Sequence, residues 1–94
     1  MNKQQRSIKQ ICQVPNQKGL HARAAAQIVT LSNQYQCEVT LTHKNKSAPA
    51  LSLIKLLTLD APRGSQIEVI AIGDDAEKAC EAINQLFTDG FGEI

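Results

Sequence analysis

A chain of 94 residues with a formal net charge of +1 is one domain by length, with room for a modest core and one shallow surface site rather than two substrate lobes. Its nearly balanced acids and bases remove the electrostatic case for a nucleic-acid or membrane-surface partner, so proteins are the expected partners. No stretch approaches the roughly 18 apolar residues that span a bilayer, no apolar segment follows a charged start in residues 1–13, and a cytoplasmic protein is expected.

The first element is a strand from Ser7 to Val14, where Ile8, Cys12 and Val14 share one parity, interrupted by Ile11. Pro15-Asn16-Gln17-Lys18-Gly19 then supplies turn chemistry. From Ala22 to Tyr35 the chain has four alanines and no glycine or proline. Ala22, Ala25, Ala26 and Val29, joined by Ile28, Leu31 and Tyr35, predict a helix with a broad buried face. Cys37, Val39 and Leu41 alternate with Glu38, Thr40 and Thr42, the pattern of a half-buried strand. The polar run from His43 to Ser47 reads as a hairpin loop before a short strand stopped by Pro49, which makes His43 an exposed histidine with no role. Ser52 stands as N-cap before Leu53, Ile54, Leu56, Leu57 and Leu59, a short apolar helix ending near Asp60 to Gly64. Gln66 to Ile72, apolar on both parities, predicts a central strand. The last helix starts near Asp74-Asp75, whose carboxylates suit a helix start. It buries Ala76, Ala79, Cys80, Ile83, Leu86 and Phe87, and closes at Gly90 and Gly92.

Strand, helix, strand, strand, helix, strand, helix without repeat or linker suits an α+β sandwich, an antiparallel sheet covered on one face by helices, in a single domain over 1–94. Cys12, Cys37 and Cys80 are odd in number, far apart and without C-x-x-C spacing or nearby histidines. They are read as reduced thiols, and no metal site and no cofactor are expected.

Gly19-Leu20-His21-Ala22-Arg23 carries the chemistry, because a histidine lies where a loop becomes a helix and an arginine follows it. The first turn of a helix offers unpaired N–H groups and the positive end of its dipole, here the backbone of Ala22 and Arg23, and a phosphoryl group on His21 would meet them. Neutral imidazole is a nucleophile near pH 7, and Arg23 brings a planar, charged donor. A bare H-x-R also fits a histidine that merely caps a helix beside a solvated arginine. No second group is placed as a general base, so the chain is expected to be no enzyme by itself, and catalysis would come from the partner.

Gly-Leu-His-Ala-Arg followed by an alanine-rich helix, with Ser52-Leu53-Ile54-Lys55-Leu56 at the matching distance downstream, resembles the histidine-containing phosphocarrier (HPr) family over essentially the whole chain. The resemblance implies an open-faced β-sandwich of four antiparallel strands with three helices on one face. It implies phosphorylation of His21 on Nδ1 by an enzyme I-type protein that draws on phosphoenolpyruvate, and transfer to an enzyme IIA-type acceptor. Arg23 matches the arginine that steadies the phosphoryl group. Leu53, Ile54 and Leu57 match an apolar docking surface, to which Ala26 is also assigned, and a monomer is expected. Ser52 matches a serine that is a regulatory phosphorylation site in some branches, although an N-cap alone explains it.

Leu56 to Asp60, Gln66 to Val69 and Leu86 to Phe91 look most like the nitrogen-related branch, whereas Lys46-Ser47-Ala48 and Ser52 to Lys55 look like the sugar-uptake branch. The family usually has proline where this chain has Ala24, a change expected to alter helix-start geometry rather than chemistry. A regulator that binds proteins without carrying phosphate is the competing class; the presence of both His21 and Arg23 favours the carrier.

Overall fold

The computed structural model describes residues 6–93. Its elements are β1 (Ser7–Gln13), α1 (Ala22–Ser32), β2 (Glu38–His43), β3 (Lys46–Pro49), α2 (Leu53–Leu57), β4 (Gln66–Ile72) and α3 (Ala76–Thr88), followed by a short 3₁₀ turn at Gly90–Gly92. The strands form one antiparallel sheet in the order β1-β4-β2-β3.

Parity sets which face is covered. Gln10, Val69, Leu41 and Ala48 stand opposite one another across the strands, and Val69, Leu41 and Ala48 are wholly buried. Gln10 is polar in this row, and its Nε2 donates to the Cys80 carbonyl at 2.8 Å, tying β1 to α3. β4 is central, as its composition predicts, yet it is buried on one parity only: Ile67, Val69 and Ala71 face the core. Ile72 and Ile11 are 38% and 57% exposed on the open face. On the covered face α3 lies over β1 and β4, and α1 packs against α2 and α3. The fold is the α+β sandwich expected from the order of elements and the open-faced form that the family resemblance implies.

Four local expectations are corrected. His43 is not an exposed loop residue. It ends β2 on the same parity as Val39 and Leu41, is 8% exposed, and its Nδ1 lies 2.8 Å from the Leu59 carbonyl. The inward alternation simply runs one step further than the polar run suggested. In α1 the buried stripe is Ala24, Ala25, Ile28 and Ser32, so Ala22 and Ala26 face outward; Ala24 stays buried because its neighbours at i+1 and i+4 define the stripe. The helix also stops at Ser32 rather than Tyr35, the chain turning through Gln34 and Tyr35 with backbone bonds to Leu31 and Ser32. The Asp75 carboxylate does not cap α3 but accepts from the Gln36 backbone N–H at 2.8 Å, clamping the start of α3 to the approach of β2.

Cys12 and Cys80 are buried and Cys37 half-buried, all free thiols. Burial, and then the nearby Cys80, push the Cys12 thiol up to about 11, so it stays protonated at neutral pH. Among the described residues no helix is long and apolar enough to cross a membrane, and no three metal-ligating side chains cluster.

Candidate functional site

The site is built where the β1–α1 loop docks on the segment after α2. Val14 exchanges backbone bonds with Gly64 and Ser65, and the Leu20 N–H donates to the Ala61 carbonyl at 2.9 Å. Between these ties Gly19 has φ +70, and a Cβ there would lie 2.5 Å from the Ala61 oxygen, so only glycine allows the approach. Buried Leu20 anchors the turn, and His21 follows as the N-cap of α1 with an extended backbone at φ −83 and ψ −177.

The His21 ring takes the place that an Asp or Ser oxygen fills at most helix starts: its Nδ1 accepts from the Arg23 backbone N–H at 3.2 Å. A nitrogen that accepts an N–H has no proton, so the neutral ring carries its proton on Nε2. Nε2 lies 2.5 Å from Oε2 of Glu93, and Oε1 of the same carboxylate accepts from Asn16 Nδ2 at 2.9 Å. Asn16 is wholly buried, and its amide also donates to the Gly19 carbonyl at 2.8 Å. The Glu93 carboxyl is held below its ordinary value, first by the Asn16 hydrogen bond and further by His21 and Arg23, against the opposing effect of partial burial. Glu93 is therefore ionised at neutral pH.

Arg23 is exposed in the first turn of α1, and among the described residues its guanidinium makes no ion pair. Ala24, where the family usually has proline, is 0% exposed beneath it. A proline would disfavour helical dihedrals at the preceding residue; with Ala24 in place Arg23 lies inside the helix and its N–H points at His21. Beside the ring is a cleft of about 680 Å³ whose lining includes Lys18, Ala22, His43, Lys44 and Leu57. Leu53 is 37% and Ile54 70% exposed on α2, Leu57 is half-buried, and Ala26 shares a groove with Arg23 on α1. Ser52 Oγ accepts from the Lys55 N–H at 3.3 Å, capping α2.

A family model described as "PTS HPr component phosphorylation site" matches residues 8–89. The chain belongs to the HPr family of the phosphotransferase system. Phosphocarrier protein NPr of Escherichia coli (strain K12) is 40% identical over 88 residues, 93% of this chain and 98% of that protein. Phosphocarrier protein HPr of Chlamydia pneumoniae is 36% identical over 88% of this chain and 77% of its own length. Among solved structures, HPr-C-His from Thermoanaerobacter tengcongensis superposes with a TM-score of 0.88 at 30% identity, covering 93% of this chain and 98% of that one. HPr from Bacillus anthracis superposes with a TM-score of 0.82 at 30% identity over 86% and 96%. These likenesses assign the chain to the phosphocarriers of that system and agree with the observed fold.

Sequence reasoning placed His21 and Arg23 at the start of α1, where they stand, and missed Glu93 and Asn16. Nothing local marks Glu93, which is 72 residues from His21 along the chain. The only available hint was the polar Asn16 in a turn next to the histidine.

Proposed function

We propose that this HPr-family chain accepts a phosphoryl group on Nδ1 of His21 from an enzyme I-type donor charged by phosphoenolpyruvate and passes it to an enzyme IIA-type acceptor. The observation that carries this reading is the His21 ring at the α1 N-terminus with its unprotonated Nδ1 turned to the Arg23 N–H. In the forward step the Nδ1 lone pair forms the N–P bond while the donor's bond to phosphorus breaks and its electron pair stays with the donor. The Arg23 N–H, released from Nδ1, and the Ala22 N–H then face the phosphoryl oxygens, each charge-assisted bond contributing about 1.5–3 kcal/mol. The Arg23 guanidinium supplies a planar fork that lysine lacks. Transfer onward reverses these bonds, so the chain acts as a carrier and not as an enzyme.

Exposed Leu53 and Ile54, with Leu57 and Ala26, form the apolar docking surface on either side of His21 in this reading. The chain acts as a single domain over 1–94, a monomer in the cytoplasm that needs no cofactor. The nitrogen-related branch is favoured because relatives named NPr reach 40% and 42% identity, against 36% and 33% for two named HPr. Ser52 is a helix cap in this account rather than a regulatory acceptor.

The test is intact-mass measurement after mixing with phosphoenolpyruvate and either a nitrogen-branch or a sugar-branch enzyme I. One acid-labile, base-stable phosphoryl group is expected, faster with the nitrogen-branch donor and absent from His21→Ala. A phosphoryl group retained on His21→Ala would refute the site, equal rates with both donors the branch, and no phosphorylation at all would leave the chain a binding regulator.

A further inference from the structure

We infer that Glu93 is a positioning residue for phosphotransfer, its carboxylate holding the proton on His21 Nε2 and neutralising the ring as Nδ1 takes up phosphorus. The inference rests on the phosphocarrier reading above and adds a residue to it. Both carboxylate oxygens are engaged by different donors, Oε2 by His21 Nε2 and Oε1 by Asn16 Nδ2. The Asn16 amide is fixed in turn by the Gly19 carbonyl, inside a loop that is itself anchored by Leu20. The segment that delivers Glu93 is fastened as firmly. Phe91 is 2% exposed and meets Phe87 edge-on with ring centroids 4.9 Å apart. Gln27 Nε2 donates to the Phe91 carbonyl at 3.1 Å, and the Glu93 N–H donates to Gly90 at 2.9 Å. Phe91 itself sits at φ +56, a left-handed conformation that a phenylalanine adopts only where surrounding contacts impose it.

The chemistry assigns this carboxylate more than a structural tie. The neutral ring begins with a proton on Nε2 and a lone pair on Nδ1. When Nδ1 forms its bond to phosphorus and the donor leaves with its electron pair, no proton departs; the ring becomes an imidazolium with Nε2–H intact. A carboxylate on that N–H interacts more strongly with the imidazolium than with the neutral ring, so it favours the transition state over the ground state. In the onward step the lone pair returns to Nδ1 and the same proton stays in place. The carboxylate also covers Nε2, leaving Nδ1 as the nitrogen that reacts. Lys18 and Arg23 border the same small cleft as Glu93, and the Asn16 hydrogen bond first, then His21 and Arg23, favour the ionised carboxylate.

The experiment compares wild type, Glu93→Gln and Glu93→Ala in initial-rate phosphorylation by enzyme I and phosphoenolpyruvate over a range of carrier concentrations, with a urea midpoint on each variant. Removing a carboxylate that orients a histidine costs about 10–100-fold in the metal sites where such pairs are measured. A kcat loss of that order is expected for Glu93→Ala, with KM nearly unchanged. Glu93→Gln keeps the side-chain size and one acceptor but no charge, and should fall between. A wild-type kcat in Glu93→Gln would overturn the role of the charge even if Glu93→Ala unfolds, and a loss confined to KM would make Glu93 a docking residue instead. If wild type is never phosphorylated, the phosphocarrier reading fails and takes this inference with it. If wild type is phosphorylated on His21 and both variants match its kcat, only the role of Glu93 fails.

Discussion

At His21 two nearly equivalent ring nitrogens are given different neighbours, a backbone N–H on Nδ1 and a carboxylate on Nε2. The pairing reaches stability as well as chemistry. Asn16, then His21 and Arg23, hold the folded Glu93 carboxyl below its ordinary value of 4.5. A carboxyl lowered in the folded state stabilises the fold above its unfolded value, and that contribution is lost as pH falls through the folded one. Wild type should therefore lose urea resistance below pH 4.5 more steeply than Glu93→Gln, which has no carboxyl to titrate at this position. Parallel acid limbs for the two proteins would contradict the pairing. Arg23 works on a different balance: an exposed guanidinium contributes about 0–1 kcal/mol to any ion pair at rest, so the role proposed for it lies in the phosphorylated state and not in the fold.

The elements show which features local chemistry can specify. α2 spans only Leu53–Leu57, far too short to hold itself together in water, so it depends on its cap and on buried Leu56. Ser52→Ala should lower stability by about 0.5–2 kcal/mol, toward the smaller end because the Oγ bond is long at 3.3 Å and exposed, and phosphotransfer should persist. An unchanged denaturation midpoint would show that water serves the Lys55 N–H equally well. The serine before an apolar run was readable in the sequence, as were the two-parity apolar pattern of β4 and the loop-to-helix step at His21. The buried stripe of α1 was not, because an alanine-rich helix offers several faces of similar hydrophobicity and only packing against α2 and α3 selects Ala24, Ala25 and Ile28. His43 was misread for a related reason. Its polar neighbours Lys44 and Asn45 suggested a loop, while the two-residue period of β2 had already assigned it to the core side.

At the scale of the whole molecule, the site joins the two ends of the described chain. The loop after β1 brings Asn16 and His21, the turn after α3 brings Glu93, and the aromatic pair of Phe87 and Phe91 fixes that turn against the core. Contacts of this span leave no mark in a local sequence window, which is why half of the histidine's environment was invisible before the fold was known. The family fold, by contrast, was legible throughout, since each strand and helix carries its own pattern and the order of elements admits few arrangements. The proposed function turns on one claim above the others, that Nδ1 of His21 is the reacting atom, with Glu93 against Nε2 and the α1 backbone beside Nδ1. The most direct measurement is phosphorus–nitrogen and proton correlation NMR of the protein phosphorylated by enzyme I and phosphoenolpyruvate in a 15N-labelled state. The account predicts phosphorus coupled to Nδ1 of His21, with a proton still on Nε2; phosphorus on Nε2, on His43 or on Ser52 would contradict it.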